Sequence, residues 1–322
     1  MNTGAGTGAG PKVGFIGIGS MGLPMAAGLL DAGFDLTVFN RSPEKCAPLE
    51  ERGASVAGSP AEVAATVDVV ITMLSDGDAV ENVFAGDGGI VEGAGNREKA
   101  TPLLWIEMST VGPDKSRDLA ERASSRGVEW LDAPVSGSVT VAEAGKLSVM
   151  AGGEQAAFDR AEAVLRAFSS NRTLLGPAGS GSAMKLAVNL LIASTSHALS
   201  EALVLAESAG IAREDAYGVI EAGAVSSPFV KYKRAAFLDP DGEPVAFSLD
   251  LMRKDLRLAT ELGERSQIPM LSARSSSDAM KLAAELTGGG SDLVRVADAL
   301  RIVAAGAETE DETEPRTEGI NG

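Results

Sequence analysis

The chain has 322 residues, which is long enough for two hydrophobic cores, because a single core stops growing at about 250–300 residues. Its apolar content of 44% is typical of a globular protein. The formal net charge of −17 argues against a nucleic-acid partner, since such a partner requires a basic surface.

Cysteine usage and the N-terminal residues bear on the compartment. The single cysteine, Cys46, excludes an intrachain disulfide framework and fits a reducing compartment. Residues 1–11 have neither a basic start nor an apolar run, so we expect no signal peptide. Uninterrupted apolar runs are too short to cross a bilayer. We therefore predict a cytoplasmic protein with no membrane partner.

Apolar runs that stop in glycine or polar residues alternate with helical patterns through the first half of the chain. The predicted strands are 12–18, 34–39, 54–57, 68–74, 103–108, 129–133, 146–151 and 172–175. The predicted helices are 21–32, one that ends at Arg52, one that Ser59 caps, 78–84, 114–126 and 154–168. This alternation predicts an α/β Rossmann fold with a doubly wound parallel sheet and the ligand at the carboxyl ends of its strands.

From Gly179 onward the pattern contains helices and no convincing strand. The stretch that starts there has no proline before Gly210, a glycine typical of a helix end. Apolar residues lie nearly all round it, so we expect a long, buried helix. Lys185 and Asn189 are four residues apart near its start and therefore share one face. The second half is predicted to be all-α and to be joined to the first by this helix.

These patterns predict two domains and two tails. We expect a disordered tail over 1–11, a dinucleotide-binding domain over 12–178, an all-α substrate and oligomerisation domain over 179–305, and a disordered acidic tail over 306–322. A helix that is apolar all round needs more cover than one small domain supplies. We therefore predict a homodimer or homotetramer that associates through the helical domain.

A glycine-rich motif separates the first predicted strand from the first helix. It fits the pattern Gly-x-Gly-x-x-Gly and comprises Gly17, Ile18, Gly19, Ser20, Met21 and Gly22. Glycines at this spacing permit a tight turn and a close approach of the backbone to a pyrophosphate. The following helix offers amide donors and its positive dipole end. The motif predicts a dinucleotide site.

The end of the second predicted strand bears on the choice of dinucleotide. NAD-selective sites place an acid about twenty residues after the glycines, on the ribose 2′-hydroxyl. This chain has Asn40, Arg41 and Ser42 there instead. Arg41 can face a 2′-phosphate, to which Asn40 and Ser42 can donate hydrogen bonds. Our hypothesis is NADP rather than NAD, and the alternative is an ordinary turn with an exposed arginine.

Three further stretches follow the glycine motif in a recognisable order. They are residues 132–138 (Asp-Ala-Pro-Val-Ser-Gly-Ser), the helix with Lys185 and Asn189, and residues 251–256 (Leu-Met-Arg-Lys-Asp-Leu). Together the motifs resemble the β-hydroxyacid dehydrogenase family over residues 13–304. The Asn-Arg-Ser turn is most similar to the family's NADP-dependent glyoxylate/succinic semialdehyde reductases.

The resemblance implies a role for each motif. Lys185 would be the general acid/base, and Asn189 would help to orient the substrate. The substrate carboxylate would be held by Ser136, Gly137 and Ser138. The residues against the cofactor would be Lys254, Met73, Leu74, Ser109 and Thr110. The family usually has glycine at the position of Ser138, so this serine leaves the identity of the substrate open.

The implied reaction is hydride transfer between NADP(H) and a small, carboxylate-bearing 3-hydroxy acid or semialdehyde. Reduction of a carbonyl creates an alkoxide that needs a proton donor, and a lysine with a pKa lowered by burial can serve near neutral pH. No metal-ligand pattern appears in the sequence, and hydride transfer does not need one. Taken singly, Lys185 also fits a snorkelling lysine, and Lys254 a solvated charged face.

Other functions stay open. An imine reductase-like enzyme is one, although that subgroup usually has Asp or Tyr where this chain has Lys185. A non-catalytic, NADP-binding scaffold is another. A 6-phosphogluconate-type dehydrogenase is a third, but the chain is short for it and has no compact basic cluster for a sugar phosphate.

Overall fold

The computed structural model describes residues 10–97 and 101–311, and the chain divides into two compact units between Val188 and Asn189. The predicted domain boundary at Gly179 falls just before the long helix, whereas the units divide within that helix. Most of the predicted N-terminal tail (1–9) and the end of the predicted acidic tail (312–322) lie outside the described residues.

Strands and helices alternate through the first unit. The strands are β1 (Val13–Ile16), β2 (Leu36–Phe39), β3 (Ser55–Val56), β4 (Val69–Thr72), β5 (Leu103–Glu107), β6 (Val128–Asp132), β7 (Val135–Ser136), β8 (Leu147–Gly153) and β9 (Ser169–Leu174). The helices are α1 (Gly22–Asp31), α2 (Ala47–Glu50), α3 (Pro60–Thr66), α4 (Gly77–Ala85), α5 (Ile90–Gly95), α6 (Pro113–Ser124), α7 (Val139–Glu143) and α8 (Gln155–Arg166). A 3₁₀ turn, Pro43–Cys46, precedes α2.

Every strand and helix predicted for this half is present, with small shifts at the ends. As predicted, the Ser59 hydroxyl caps α3 by accepting a hydrogen bond from the Glu62 amide at 3.2 Å. The sequence patterns missed the short elements α5, β7 and α7. These segments are too short to establish a hydrophobic period, which needs a window of about 11–18 residues.

The sheet has the order β3-β2-β1-β4-β5-β6-β8-β7, and β9 pairs with β8. Strands β1 to β6 are parallel, as predicted, but β8 is antiparallel to β6 and to β7. The predicted doubly wound parallel sheet is therefore confirmed over β1 to β6, whereas β8 joins it in the antiparallel direction. A parallel crossover needs about a dozen residues or more, and the short link through α7 suits an antiparallel return.

The central strands are buried on both faces, which explains their nearly continuous apolar sequences. Their register places Ile16, Thr72, Glu107 and Asp132 in one row across β1, β4, β5 and β6. Every residue of this row is buried, although three of the four are polar. A hydroxyl and two carboxyl groups thus lie inside the sheet near the carboxyl ends of its strands.

The second unit is helical. Its elements are α9 (Ser180–Ser208), which begins in the first unit, α10 (Arg213–Ala222), α11 (Pro228–Leu238), α12 (Leu249–Arg265), α13 (Leu271–Thr287) and α14 (Val296–Asp311). No strand follows Gly179 in the part of the chain that the structure describes, as predicted. Helix α14 extends to Asp311, so the first residues of the predicted acidic tail are helical.

Helix α9 is less buried than its composition suggests. Leu191 is 67% exposed and Leu205 is 72% exposed, and Met184 is also exposed on the same helix. The expectation of a buried helix is therefore met only in part within one chain, which leaves part of the apolar surface of α9 uncovered. By length and composition alone α9 could cross a membrane, a test that core helices of soluble proteins also pass.

Candidate functional site

The glycine motif forms the turn between β1 and α1. Gly17 has φ +103°, and a Cβ there would lie 2.2 Å from the Met73 carbonyl oxygen. A Cβ on Gly22 would lie 2.0 Å from the Gly17 carbonyl oxygen, so the fold itself requires both glycines. A Cβ on Gly19 would meet nothing within 4 Å. Gly19 thus faces open space at the N-terminus of α1, where a dinucleotide pyrophosphate fits.

The turn after β2 supports this loop. The Asn40 side-chain oxygen accepts a hydrogen bond from the Ile18 amide at 2.9 Å, and its nitrogen donates to the Ser42 carbonyl at 2.9 Å. The amide of Asn40 therefore holds the glycine loop, a role that the sequence did not indicate. Arg41 is exposed and forms no ion pair with any residue that the structure describes. The Arg41 guanidinium is therefore placed to bind a negatively charged group at this end of β2.

The predicted cofactor-side segments after β4 and β5 lie together. The Leu74 amide donates to the Ser109 hydroxyl at 2.8 Å. The Met73 carbonyl and the Leu74 side chain are the groups that a Cβ on Gly17 would strike. The structure thus brings Met73, Leu74 and Ser109 to the glycine loop, and Thr110 follows, partly buried.

Glu107, which no sequence motif indicated, ends β5 and contacts the residues that begin and precede these segments. Its carboxyl group is buried and accepts hydrogen bonds from the Ser109 amide at 2.6 Å and from the Thr72 hydroxyl. Burial raises the pKa of Glu107 to about 7, although the hydrogen bonds from Ser109 and Thr72 lower it. The sequence feature that could have identified Glu107 is its position as an acidic residue at the end of an otherwise apolar strand.

Asp132, the first residue of the 132–138 motif, has a defined role in the structure. Its buried carboxylate accepts hydrogen bonds from the Gly179 and Ser182 amides, each at 2.7 Å. These amides belong to the start of α9, where backbone N–H groups lack partners within the helix. Burial raises the pKa of Asp132, and the same hydrogen bonds lower it. Asp132 thus fixes the first turn of α9 to the end of β6.

The predicted carboxylate-binding residues form a turn between β7 and α7. Ser136 pairs with Ser148 of β8, and Gly137 has φ +145°. A Cβ on Gly137 would lie 2.6 Å from the Leu147 side chain, so glycine is required there. The Ser138 hydroxyl caps α7 by accepting from the Val141 amide at 3.3 Å. This cap gives a structural reason for the serine.

Lys185 lies in the second turn of α9, partly buried and in the first unit. Because Asp132 holds the first turn of that helix, the backbone of Lys185 is anchored to the carboxyl end of β6. The glycine loop follows β1, which runs parallel to β6 in the same sheet. Lys185 and the loop therefore belong to the same edge of the sheet.

Asn189 is the next residue on that face of α9, and its contacts lie in the second unit. Its side-chain nitrogen donates to Asp255 at 2.5 Å, and the Lys254 ammonium lies 3.2 Å from the other oxygen of Asp255. Asn189 and Asp255 are buried, and Lys254 is 19% exposed. The solvated-face alternative for Lys254 is therefore wrong. Asp255, which links the two predicted residues, was missed.

The Asn189 amide has one further property. Its side-chain oxygen is buried and has no hydrogen-bond partner among the described residues. An unsatisfied buried acceptor costs about 1–3 kcal/mol, so this oxygen is suited to accept a hydrogen bond from a bound molecule. Among the described residues no group of three or more His, Cys, Asp and Glu side chains is arranged to hold a metal ion.

Two family models match the chain, one for each half. The NAD binding domain of 6-phosphogluconate dehydrogenase matches residues 12–176. The NAD-binding domain of NADP-dependent 3-hydroxyisobutyrate dehydrogenase matches residues 179–300. Their junction coincides with the turn that precedes α9.

Similar proteins include enzymes that act on small acids. The chain is 36% identical over 290 residues to glyoxylate/succinic semialdehyde reductase 1 of Arabidopsis thaliana, covering 90% of this chain and 98% of that one. The structure of 3-hydroxyisobutyrate dehydrogenase from Salmonella typhimurium superposes with a TM-score of 0.81 at 29% identity, covering 89% and 99% of the two chains. The enzyme from Mycobacterium tuberculosis, solved with L-serine, gives 0.79 at 30% identity, covering 91% and 99%.

Imine reductases are more distant. The enzyme from Myxococcus stipitatus superposes with a TM-score of 0.59 at 20% identity, which shows a common fold alone. The two matched models together span residues 12–176 and 179–300, and the plant reductase and the Salmonella dehydrogenase are each similar over about nine tenths of this chain. The chain belongs to the NAD(P)-binding hydroxyacid dehydrogenase family, with the 3-hydroxyisobutyrate dehydrogenases and the glyoxylate/succinic semialdehyde reductases.

Proposed function

We propose that this protein transfers a hydride between NADP(H) and a small, carboxylate-bearing 3-hydroxy acid or semialdehyde, with Lys185 as general acid/base. The observation that carries the proposal is the anchoring of α9 by Asp132, which holds Lys185 to the sheet edge that bears the glycine loop. Ligands of doubly wound sheets bind at this edge. Lys185, the proton donor, would then lie at the edge of the sheet at which the cofactor binds.

The residues would divide the chemistry as follows. NADP(H), when bound, supplies or accepts the hydride. In reduction, the Lys185 ammonium donates a proton to the substrate oxygen as negative charge develops there, and in oxidation the neutral amine removes the hydroxyl proton. Ser136, Gly137 and Ser138 hold the carboxylate. Asn189, whose amide Asp255 orients, accepts or donates a hydrogen bond at the substrate.

We base the proposed preference for NADP on the residues of the turn after β2. Arg41 is exposed beside the glycine loop and has no ion-pair partner among the described residues. No acid stands at that strand end to bind a ribose 2′-hydroxyl. A guanidinium with this freedom suits a 2′-phosphate, which it can bind with two parallel hydrogen bonds.

The test follows NADPH absorbance with a panel of two- to five-carbon aldehydes, semialdehydes and 3-hydroxy acids. We expect turnover with at least one of them, and Lys185→Ala should lower kcat by about 10²–10⁴-fold while NADPH still binds. Lys281→Ala is the matched control, because Lys281 is exposed on α13. Turnover of Lys185→Ala at the wild-type rate would exclude the assigned role.

The same assay, with cyclic imines and 6-phosphogluconate added to the panel, separates the alternative functions. Binding of NADPH without turnover of any compound would favour a non-catalytic scaffold. Turnover of cyclic imines with no turnover of aldehydes would favour an imine reductase. If 6-phosphogluconate were the best substrate, the result would favour a 6-phosphogluconate-type dehydrogenase.

A further inference from the structure

Glu107 is a buried ionisable group that the proposed reaction does not use. It ends β5, and the sheet register places it between Thr72 of β4 and Asp132 of β6. Its side chain is fully buried, so it contacts neither solvent nor the open space at Gly19. A carboxyl group in such a place destabilises a fold unless its neighbours use it.

Both oxygens of the carboxyl group are used, one by the segment that follows β5 and one by the end of the neighbouring strand β4. One oxygen accepts from the Ser109 amide at 2.6 Å, and the other accepts from the Thr72 hydroxyl. The Thr72 oxygen in turn accepts from the Trp105 indole nitrogen at 2.7 Å. Because an indole N–H can only donate, this arrangement leaves the Thr72 proton for Glu107 and suits the carboxylate form.

The same network reaches the segments assigned to the cofactor. Ser109, whose amide Glu107 holds, accepts from the Leu74 amide through its hydroxyl at 2.8 Å. Thr72 immediately precedes Met73 and Leu74, and Glu107 immediately precedes the segment that contains Ser109 and Thr110. One carboxyl group thus connects the ends of two strands and the two loops that leave them.

We propose that Glu107 is a positioning residue that holds segments 73–74 and 109–110 in the geometry that binds the dinucleotide, and that its loss of a proton strengthens this binding. The inference rests on the proposed assignment of these segments to the cofactor. Charge-assisted hydrogen bonds are about twice as strong as neutral ones, so the carboxylate holds both loops more firmly than the neutral acid does.

We expect the change of charge near neutral pH. Burial and, to a smaller degree, the carboxylate of Asp132 on the adjacent strand raise the pKa of Glu107 to about 7, against the lowering effect of the hydrogen bonds from Ser109 and Thr72. Asp132 is itself buried, with its pKa raised by burial, and its oxygens are occupied by the Gly179 and Ser182 amides. Thr72 and Ser109, the other groups that face Glu107, do not titrate in this range.

Glu107→Gln is the central variant, because glutamine keeps the volume and can accept from Ser109 and donate to Thr72 without ionising. The dissociation constant of NADPH is measured by fluorescence for both proteins from pH 5.5 to about 8.5. The ratio of the variant's constant to the wild-type constant should be near one below about pH 6 and rise about three- to fivefold above about pH 8. Taking the ratio cancels the titration of the 2′-phosphate.

A second variant should change the pH at which this ratio of dissociation constants rises. The Thr72 hydrogen bond lowers the pKa of Glu107, so Thr72→Val should shift the rise to higher pH. Thermal unfolding of each variant establishes that it is folded at every pH used. A ratio that does not vary with pH, in folded variants, would overturn the inference. Failure of the wild-type protein to bind NADPH at all would instead overturn the proposed function.

The free energy of unfolding provides a control, because the contribution of Glu107 to it should decrease as the pH rises, whereas NADPH binding should strengthen. The folded-state pKa of Glu107 lies above the ordinary value of 4.5, so the folded protein binds this proton more tightly than the unfolded chain does. The stability of the wild type relative to Glu107→Gln should therefore fall as the pH rises from about 4.5 to about 7 and stay constant above that. If Glu107 had only a structural role, the stability would change with pH in this way, but the ratio of the NADPH dissociation constants would not.

Discussion

Arg41 and Asn40 are neighbours in the sequence, yet the structure gives them different tasks. The Asn40 amide is occupied by the Ile18 amide and the Ser42 carbonyl, whereas the Arg41 guanidinium is exposed. Recognition of a 2′-phosphate would therefore depend mainly on Arg41. Removal of Asn40, in contrast, would disturb the glycine loop and affect both dinucleotides.

We expect Arg41→Ala to raise the KM for NADPH by about 10- to 100-fold, since a charge-assisted hydrogen bond contributes about 1.5–3 kcal/mol. The KM for NADH should change little, because NADH has no 2′-phosphate. Steady-state kinetics with both cofactors check this. Arg52→Ala is the matched control, as Arg52 is an exposed arginine of the same unit that pairs with Asp31. Equal losses with both cofactors, or a wild type that prefers NADH, would contradict the assignment.

The sequence predicted individual residues well where a local pattern requires them. Gly17 and Gly22 could be assigned because their spacing alone implies the turn, and the structure shows the close contacts that exclude a side chain. Glu107, Asp132 and Asp255 could not, because each acts through a partner that only the folded chain brings near. Asp132 bonds to amides 47 and 50 positions away, and Asp255 to an amide 66 positions away.

Among the elements, α9 depends on a carboxylate outside the helix for its first turn. Asp132 satisfies two amides that would otherwise be buried without partners, and its negative charge lies at the positive end of the helix dipole. The position of Lys185 thus depends on a strand as well as on its own helix.

Asp132→Ala should lower the free energy of unfolding by about 2–4 kcal/mol, because two buried amides lose their acceptor. Its kcat should fall as well, while the KM for NADPH should stay close to the wild-type value. Asp132→Asn, which keeps one acceptor oxygen, should lie between the two proteins. Urea unfolding and steady-state kinetics provide the measurements. A stable Asp132→Ala protein with wild-type kcat would show that the contact is dispensable.

The pattern of elements was predicted better than the burial of α9. Alternating strands and helices are visible as a change of hydrophobic period, so the α/β half and the helical half could be separated from the sequence. An apolar helix surface indicates that something covers it, but the sequence does not say whether the cover belongs to the same chain. In this chain part of that surface is exposed.

At the scale of the whole molecule, the exposed side chains of α9 point to a second copy. Met184, Leu191, Ala198 and Leu205 recur at seven-residue spacing, which places them in one stripe along the helix, and all four are exposed. We propose that this stripe packs in a homodimer or a larger homo-oligomer. The proposal of a cytoplasmic protein with no membrane or nucleic-acid partner is compatible with such an assembly.

We expect light scattering to give at least a dimer at micromolar concentration, and Leu191→Glu with Leu205→Glu to give a monomer, because the paired copies would bury four like charges. Val56→Glu is the control, since Val56 is an exposed apolar residue of the first unit. A monomeric wild type would refute the assembly. An unchanged oligomer in the double variant would place the interface elsewhere.

The anchoring of α9 by Asp132 also determines how the protein can be cut into halves. A first-half fragment that stops at residue 178, where the two family models meet, would retain the buried Asp132 carboxylate and lose both of its donors. A fragment that continues to Val188 keeps these donors and keeps Lys185. Separate production of the cofactor-binding half therefore requires the opening turns of a helix that, by sequence, belongs to the other half.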